Sequence, residues 1–189
     1  MGTLRGKAGS LGNLHELMQL RKWLAQLKKS SKEDWTLLPY LTIAGAGFIA
    51  SILDFVFLQN LVFQVYAIAG LVALAIGGYL RNKARSELRK KAGFSSLVAT
   101  GRLQIVEGHR LVKDGLYKHV RHPLYSGEIV RNFGFPLIFS SVYGAILIVL
   151  GMILLLFRIE IEEKMLIEAF GEEYKGYQSS TKNLIPYVY

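Results

Sequence analysis

Two apolar stretches in the first half of the chain are long enough to cross a membrane. Residues 37–59 contain a single charged side chain, Asp54, and residues 61–80 contain none. An α-helix needs about 20 apolar residues to span the hydrocarbon core of a bilayer. Each stretch therefore predicts a transmembrane helix. Because only Asn60 and its immediate neighbours separate them, we predict that the two helices form a tight antiparallel hairpin.

A second, mostly apolar block runs from Leu124 to Phe157 and is interrupted at Gly134, Pro136 and Ser140. The block is too long for one crossing. A turn near Ser140 would give a second hairpin with two short arms, whereas a turn at Gly134 to Pro136 would leave a half-helix followed by a full crossing. Irregular backbone at membrane depth is tolerated only where protein or a cavity covers it. We therefore favour an all-α integral membrane protein with two transmembrane hairpins, or about four crossings.

Two features inside the predicted spans need an explanation. Ala69, Ala73 and Gly77 repeat every four residues, and such a ridge of small residues lets helices approach closely. We expect this ridge to pack the two helices of the first hairpin together. Asp54 lies near the non-cytoplasmic end of the first span, and an acid inside a membrane is a functional candidate. Its short distance from a polar turn favours a structural role instead.

The distribution of charge predicts the orientation of the chain. Residues 1–36 contain seven Lys and Arg against three acids, and residues 81–122 contain eleven against three. Basic segments stay on the cytoplasmic side, so both segments and, after four crossings, the C-terminus are expected there. The formal net charge of +9 also favours contact with anionic membrane lipids. The sequence shows no basic and aromatic motif of the kind that reads nucleic acid, so we expect no nucleic-acid partner.

Leucines recur at helical spacing ahead of the first span, at positions 17, 20, 24 and 27. Basic residues surround them, so the segment predicts an amphipathic helix that lies in the cytoplasmic headgroup layer or docks on its own protein or on a second copy. The expected organisation is an N-terminal amphipathic segment (1–36), a first transmembrane hairpin (37–80) and a C-terminal region that contains the second hairpin (81–189). The sequence leaves the oligomeric state open.

Two polar clusters flank the second apolar block. The stretch KHVRHPLYSGE precedes it, and RIEIEE follows it directly. The segment 81–122 has too few apolar residues to form its own core, so it should lie against the cytoplasmic end of the helices and bring the two clusters together. Arg158 and Glu162 are four residues apart and can pair on one helical face. A solvated helix end with ordinary charge pairing is the alternative interpretation.

Metal binding does not follow from these clusters. His119 and His122 are three residues apart, but the chain has no cysteine and no third histidine close to them in sequence. Zinc sites in proteins use three or four such ligands. We therefore expect no metal site.

The sequence VRHPLYSG, preceded by LVKDGLY and followed by RIEIEEKMLIEAFGEEYKGY, resembles the isoprenylcysteine carboxyl methyltransferases. The resemblance covers the chain from about Leu111 to Pro186. It is specific for the superfamily and less so for the substrate, because phospholipid N-methyltransferases and the C-terminal part of membrane sterol reductases are similar in this region.

The resemblance implies methyl transfer from S-adenosylmethionine to a lipophilic acceptor, in a membrane pocket that opens at the cytoplasmic face. Glu162 corresponds to a cofactor-contacting glutamate and Arg158 to a substrate-contacting arginine, and we take these two as the catalytic candidates. The other residues expected to line the cofactor are His109, Arg110, Leu111, Val112, Lys113, Tyr117, His119, His122, Pro123, Leu124 and Tyr125.

Three functions remain open. In the first, the chain methylates the carboxylate of a prenylated or other lipophilic acid, which is already ionised at neutral pH and needs no general base. In the second, it methylates an amine or a thiol, for which a base would have to remove a proton. In the third, it is a small membrane protein without catalytic activity that binds a partner subunit. We favour the first.

Overall fold

The computed structural model describes residues 35–59, 61–91 and 110–185, and these residues are mostly helical. The elements are α1 (Leu37–Phe57), α2 (Ala67–Lys91), a 3-10 helix (Gly115–Lys118), α3 (Pro123–Ile138), α4 (Val142–Phe170) and α5 (Glu172–Ser180). The prediction of an all-α chain is confirmed for this part of the chain. The expected N-terminal amphipathic helix, the turn at Asn60 and the cofactor candidate His109 lie outside the described residues.

Two of the described helices, α1 and α4, are long and apolar enough to cross a membrane. Helix α1 has 21 residues, or about 31 Å at 1.5 Å per residue. Helix α4 has 29 residues, and its apolar part ends at Phe157. The remainder of α4 continues without a break as a polar extension, which therefore carries Arg158 and Glu162 in one rigid helical register.

Helices α2 and α3 pack against each other along glycines. A Cβ atom at Gly70 would lie 2.7 Å from the carbonyl oxygen of Gly134, and one at Gly127 would lie 2.6 Å from the backbone nitrogen of Arg81. Both distances are shorter than any side chain tolerates, so the two backbones are in direct contact. Such approach through small residues is the usual way in which helices associate in a membrane.

The helices do not pair as the order of the sequence suggests. Helix α2 packs mainly on α3, and α1 packs mainly on α4, whereas we expected the consecutive helices α1 and α2 to pack together. The predicted small-residue ridge does not pack α2 on α1: Gly77 is buried, but it contacts the backbone of Gly127 and Arg131 on α3, and Ala69 is exposed. The prediction is wrong because the small residues that contact α3 recur every seven residues, at Gly70 and Gly77, rather than every four.

The turn between α3 and α4 lies at Ser140. Gly134 and Pro136 remain inside α3, so the alternative turn at those residues is wrong. Ser141 caps α4 by accepting a hydrogen bond from the Gly144 backbone N–H at 2.8 Å, and its hydroxyl donates to the Asp54 carboxylate at 2.5 Å. Asp54 is buried and so joins the end of α1 to the start of α4, which supports its structural interpretation.

Candidate active site

Four polar side chains meet where α3 begins and the apolar part of α4 ends. His122 immediately precedes α3, whose first residue is Pro123; proline suits this position because a first-turn N–H has no partner within the helix. Only 4% of His122 and 3% of Arg158 are exposed. The Arg158 Nε donates a hydrogen bond to the Tyr125 hydroxyl at 3.0 Å, and the rings of Tyr125 and His122 are 5.7 Å apart between centroids.

Glu162 completes this cluster one helical turn beyond Arg158. Its Oε2 lies 3.9 Å from the His122 Nδ1, and its carboxylate lies beside the Tyr125 hydroxyl. The same oxygen is buried and makes no hydrogen bond with the described residues. The fold therefore brings together the guanidinium, imidazole, phenol and carboxylate groups of four residues that the sequence analysis selected. We refer to Tyr125, His122, Arg158 and Glu162 as the polar cluster.

Glu163 lies next to the polar cluster and makes three hydrogen bonds that the sequence did not predict. Its carboxylate accepts from the Arg121 Nε at 2.6 Å and from the Gln178 Nε2 at 3.0 Å, and it lies 3.2 Å from the His122 Nε2. Burial alone would raise its pKa, but the hydrogen bonds from His122 and Arg121 outweigh that effect and lower the pKa from 4.5 to about 2. Glu163 thus joins α4 to α5 and to the segment before α3.

We expect Glu163→Gln to destabilise the fold. A hydrogen bond to a charged group contributes about 1.5–3 kcal/mol, and in a chain of this size each kcal/mol shifts the melting temperature by about 2–4 °C. Because the pKa is lower in the folded state, the carboxylate stabilises the protein fully above pH 4.5 and loses this effect as the pH falls toward 2. Thermal unfolding in detergent should therefore show a gap of several degrees between wild type and variant at neutral pH. That gap should shrink on acidification, and a gap independent of pH would contradict this assignment.

Three of the predicted cofactor-lining residues pack on α2. Val112, Tyr117 and Leu124 form a hydrophobic group with Ala84. The Tyr117 hydroxyl lies 3.4 Å from the Ala84 carbonyl oxygen. The pKa of Tyr117 is raised, mainly by burial and secondarily by the nearby charge of Glu162. Tyr117 is therefore close to the polar cluster, but its hydroxyl points to α2.

The remaining cofactor candidates differ in exposure, and most of them lie on the surface. Arg110, Lys113 and His119 are exposed, and Lys113 forms an ion pair with Glu173 at 2.7 Å. His119 borders a pocket of about 290 Å³ whose other lining residues are Lys118 and residues 178–182, so none of the four side chains described above lines it. Leu111 is half-buried and Pro123 is buried. Among the described residues, no group of acids and histidines is arranged to hold a metal ion.

A second buried network lies deeper among the helices. The Glu128 carboxylate accepts hydrogen bonds from the Tyr40 hydroxyl at 2.9 Å and from the Arg131 guanidinium at 2.5 Å, and it forms an ion pair with Arg81. The Asn132 side chain donates to the Tyr40 hydroxyl at 2.9 Å. This network ties α1 and α2 to α3. The sequence gives no sign of this network, because its members come from three distant segments with no shared local pattern.

The chain matches the family model described as "Isoprenylcysteine carboxyl methyltransferase (ICMT) family" over residues 71–168. It is 33% identical over 135 residues to a protein-S-isoprenylcysteine O-methyltransferase of Schizosaccharomyces pombe, a match that covers 70% of this chain and 54% of the relative. A methanethiol S-methyltransferase of Pseudomonas deceptionensis is 38% identical over 72 residues, which is 38% of this chain and 26% of the relative.

The fold is similar to that of a solved eukaryotic intramembrane Ras methyltransferase, an isoprenylcysteine carboxyl methyltransferase. The TM-score is 0.64 and the sequence identity is 27%, with 79% of this chain and 53% of the solved chain covered. The chain spans about half the length of the isoprenylcysteine relatives it matches. The matched region contains α2 to α4 almost completely, and therefore the polar cluster.

Proposed function

The chain belongs to the isoprenylcysteine carboxyl methyltransferase family, and from that membership we propose that it is an integral membrane enzyme that methylates the carboxylate of a lipophilic, isoprenylcysteine-like acid. The methyl donor in this proposal is S-adenosylmethionine, which supplies an electrophilic methyl group on a sulfonium. The observation that carries the proposal is the polar cluster at the end of the apolar part of α4, in which His122 and Arg158 are buried.

The residues around the polar cluster fit the cofactor chemically. S-adenosylmethionine has an ammonium, a carboxylate, ribose hydroxyls and an adenine ring. Three buried polar atoms near the start of α3 and in the C-terminal segment make no hydrogen bond with the described residues: Glu162 Oε2, Tyr174 OH and Asn183 Oδ1. Buried polar atoms in native proteins nearly always have a partner, so a polar ligand is expected to satisfy them. Glu162 is the one acid among the three and is assigned to the ammonium.

Arg158 is assigned to the acceptor. A carboxylate acceptor is ionised at neutral pH, so the protein has no proton to remove from it. The task of the site is to hold one carboxylate oxygen in line with the methyl group and to exclude water. The Arg158 guanidinium can bind both oxygens of a carboxylate at once, and Tyr125 fixes its orientation through the hydrogen bond to Nε. The apolar tail of the acceptor would lie among the helices, which explains a site at the membrane.

An acceptor panel tests the reaction. The purified chain would be incubated with labelled S-adenosylmethionine and with lipophilic acids, lipophilic amines and small thiols. We expect label in a base-labile methyl ester of the prenylcysteine-type acid, and none with the matched prenylcysteine amide. Transfer to amines or thiols alone would contradict the proposal.

Thiol methylation is the second candidate, because some of the similar proteins are methanethiol S-methyltransferases. That reaction needs deprotonation of the thiol, since a thiol with a pKa near 8.5 is mostly protonated at neutral pH. The rate would then rise with pH up to the pKa of the thiol. Carboxylate methylation should show no such rise between pH 6 and 9, so the pH profile separates the two reactions.

The proposed enzyme crosses the membrane about four times, with both termini and the site on the cytoplasmic side. The basic residues of segments 1–36 and 81–122 support this orientation. Because the chain lacks cysteine, single cysteines can be introduced at Ser10, Ser96 and Ser179, with Gln64 between α1 and α2 as the control. An impermeant thiol reagent should label the first three positions from one face and Gln64→Cys from the other. Labelling of Ser179→Cys together with Gln64→Cys would mean an odd number of crossings.

A further inference from the structure

The charged C-terminal part of α2, from Arg81 to Lys91, contacts the 3-10 helix that precedes the polar cluster. Glu87 in this part of α2 accepts a hydrogen bond from the Leu116 backbone N–H at 2.9 Å. Gly115 has φ +64°, and a Cβ atom at this position would collide with the Glu87 carboxylate. Glycine is therefore favoured at position 115 for two reasons: it adopts this backbone conformation without strain, and it leaves room for the Glu87 carboxylate.

Glu87 takes the place of a local cap for the 3-10 helix. The first N–H groups of a helix have no partner within it and are usually satisfied by the side chain of the residue before it. That residue, Asp114, makes no such hydrogen bond; its carboxylate instead pairs with Lys91 at 2.6 Å. The capping carboxylate thus comes from a different helix, and it fixes where Leu116 lies relative to α2.

The position of Leu116 is transmitted to His122 through backbone hydrogen bonds. The Leu116 carbonyl accepts from the backbone N–H of His119 at 3.2 Å and from that of Val120 at 3.3 Å. The next two residues are then held by the C-terminal segment, with the His122 N–H donating to the Asn183 carbonyl at 3.1 Å. Glu87 therefore holds one end of the short segment whose other end is a member of the polar cluster.

We propose that Glu87 is a positioning residue for cofactor binding: its carboxylate sets the backbone of Gly115 to Tyr117 and thereby the placement of His122. This inference rests on the proposed function. Glu87 is half-buried and bonds the backbone directly. The neighbouring Lys91 and Asp114 are both exposed, and an exposed ion pair contributes little to stability. Of these two links between α2 and the segment, Glu87 is the one that fixes its position.

Two conservative substitutions of Glu87 separate the effect of side-chain length from the effect of its charge. Glu87→Asp keeps the charge but is one methylene too short to reach the Leu116 N–H, whereas Glu87→Gln loses the charge and keeps an acceptor oxygen at the same distance. We expect Glu87→Asp to weaken S-adenosylmethionine binding about tenfold, which corresponds to one hydrogen bond to a charged group. We expect Glu87→Gln to remain within about threefold of wild type, and the control Lys91→Ala to be unchanged.

The measurements are cofactor affinity by calorimetry and, in turnover assays, separate KM values for cofactor and acceptor. A positioning role predicts a higher KM for the cofactor with an unchanged KM for the acceptor and a kcat that recovers at saturating cofactor. Equal increases in both KM values, or an unchanged affinity in Glu87→Asp, would overturn the inference. If the wild-type chain binds no S-adenosylmethionine, the proposed function fails and this inference with it; wild-type binding with an unaffected Glu87→Asp variant overturns the inference alone.

Discussion

Replacing Arg158 with lysine should lower methyl transfer about 100-fold, the loss typical of a misplaced reactant, while cofactor affinity stays close to that of wild type. Lysine keeps the positive charge, but it cannot form two parallel hydrogen bonds with one carboxylate. It also loses the planar Nε–H that holds Tyr125 at 3.0 Å. The acceptor would still bind, but its carboxylate would no longer be held in the line of attack.

The alternative role for Arg158 is to mark the membrane boundary by extending its charge into water, a role that lysine performs equally well. The structure argues against this role, since only 3% of Arg158 is exposed and its guanidinium contacts Tyr125 inside the protein. Turnover and cofactor affinity measured on the same preparation decide between the roles, with the exposed Arg89→Lys as a matched control. Full turnover in Arg158→Lys would exclude the catalytic role, and loss of both properties would indicate a role in folding or cofactor binding.

Glu162→Gln should weaken S-adenosylmethionine binding by roughly 10- to 100-fold, because a hydrogen bond to a charged group contributes about 1.5–3 kcal/mol and each 1.4 kcal/mol is tenfold in affinity. The melting temperature of the protein without cofactor should change little. The Glu162 Oε2 makes no hydrogen bond with the described residues, so the free protein loses no hydrogen bond at this oxygen when the charge is removed.

Glu163→Gln is the matched control for this experiment, because the two acids are adjacent and the change in charge is the same. The Glu163 carboxylate bonds with Arg121, His122 and Gln178. Removing its charge should therefore lower the stability of the protein more than its affinity for the cofactor. The two variants are expected to separate into one with impaired binding and one with impaired stability. Should Glu162→Gln bind the cofactor as tightly as wild type, the assignment of Glu162 to the ammonium would be wrong.

The sequence alone was sufficient to predict the all-helical structure of the described residues, the two apolar helices α1 and α4, and the four members of the polar cluster. Each of these is a local property: an apolar stretch needs only its length to predict a span, and Arg158 and Glu162 share a face because α4 continues unbroken past Phe157. The motif around His122 and Tyr125 is local as well. These features can therefore be predicted from the local sequence, whichever helices pack around them.

Only the tertiary structure decided which helices pair and what Glu163, Glu128 and Glu87 contact. In a membrane the apolar surfaces of helices are equally suited to lipid and to one another, so partners are chosen by small residues and polar contacts rather than by hydrophobicity. The pairing of α2 with α3 depends on glycines in both helices, at positions 70, 77, 127 and 134. No single segment encodes that match, because it exists only when two distant stretches of the chain meet.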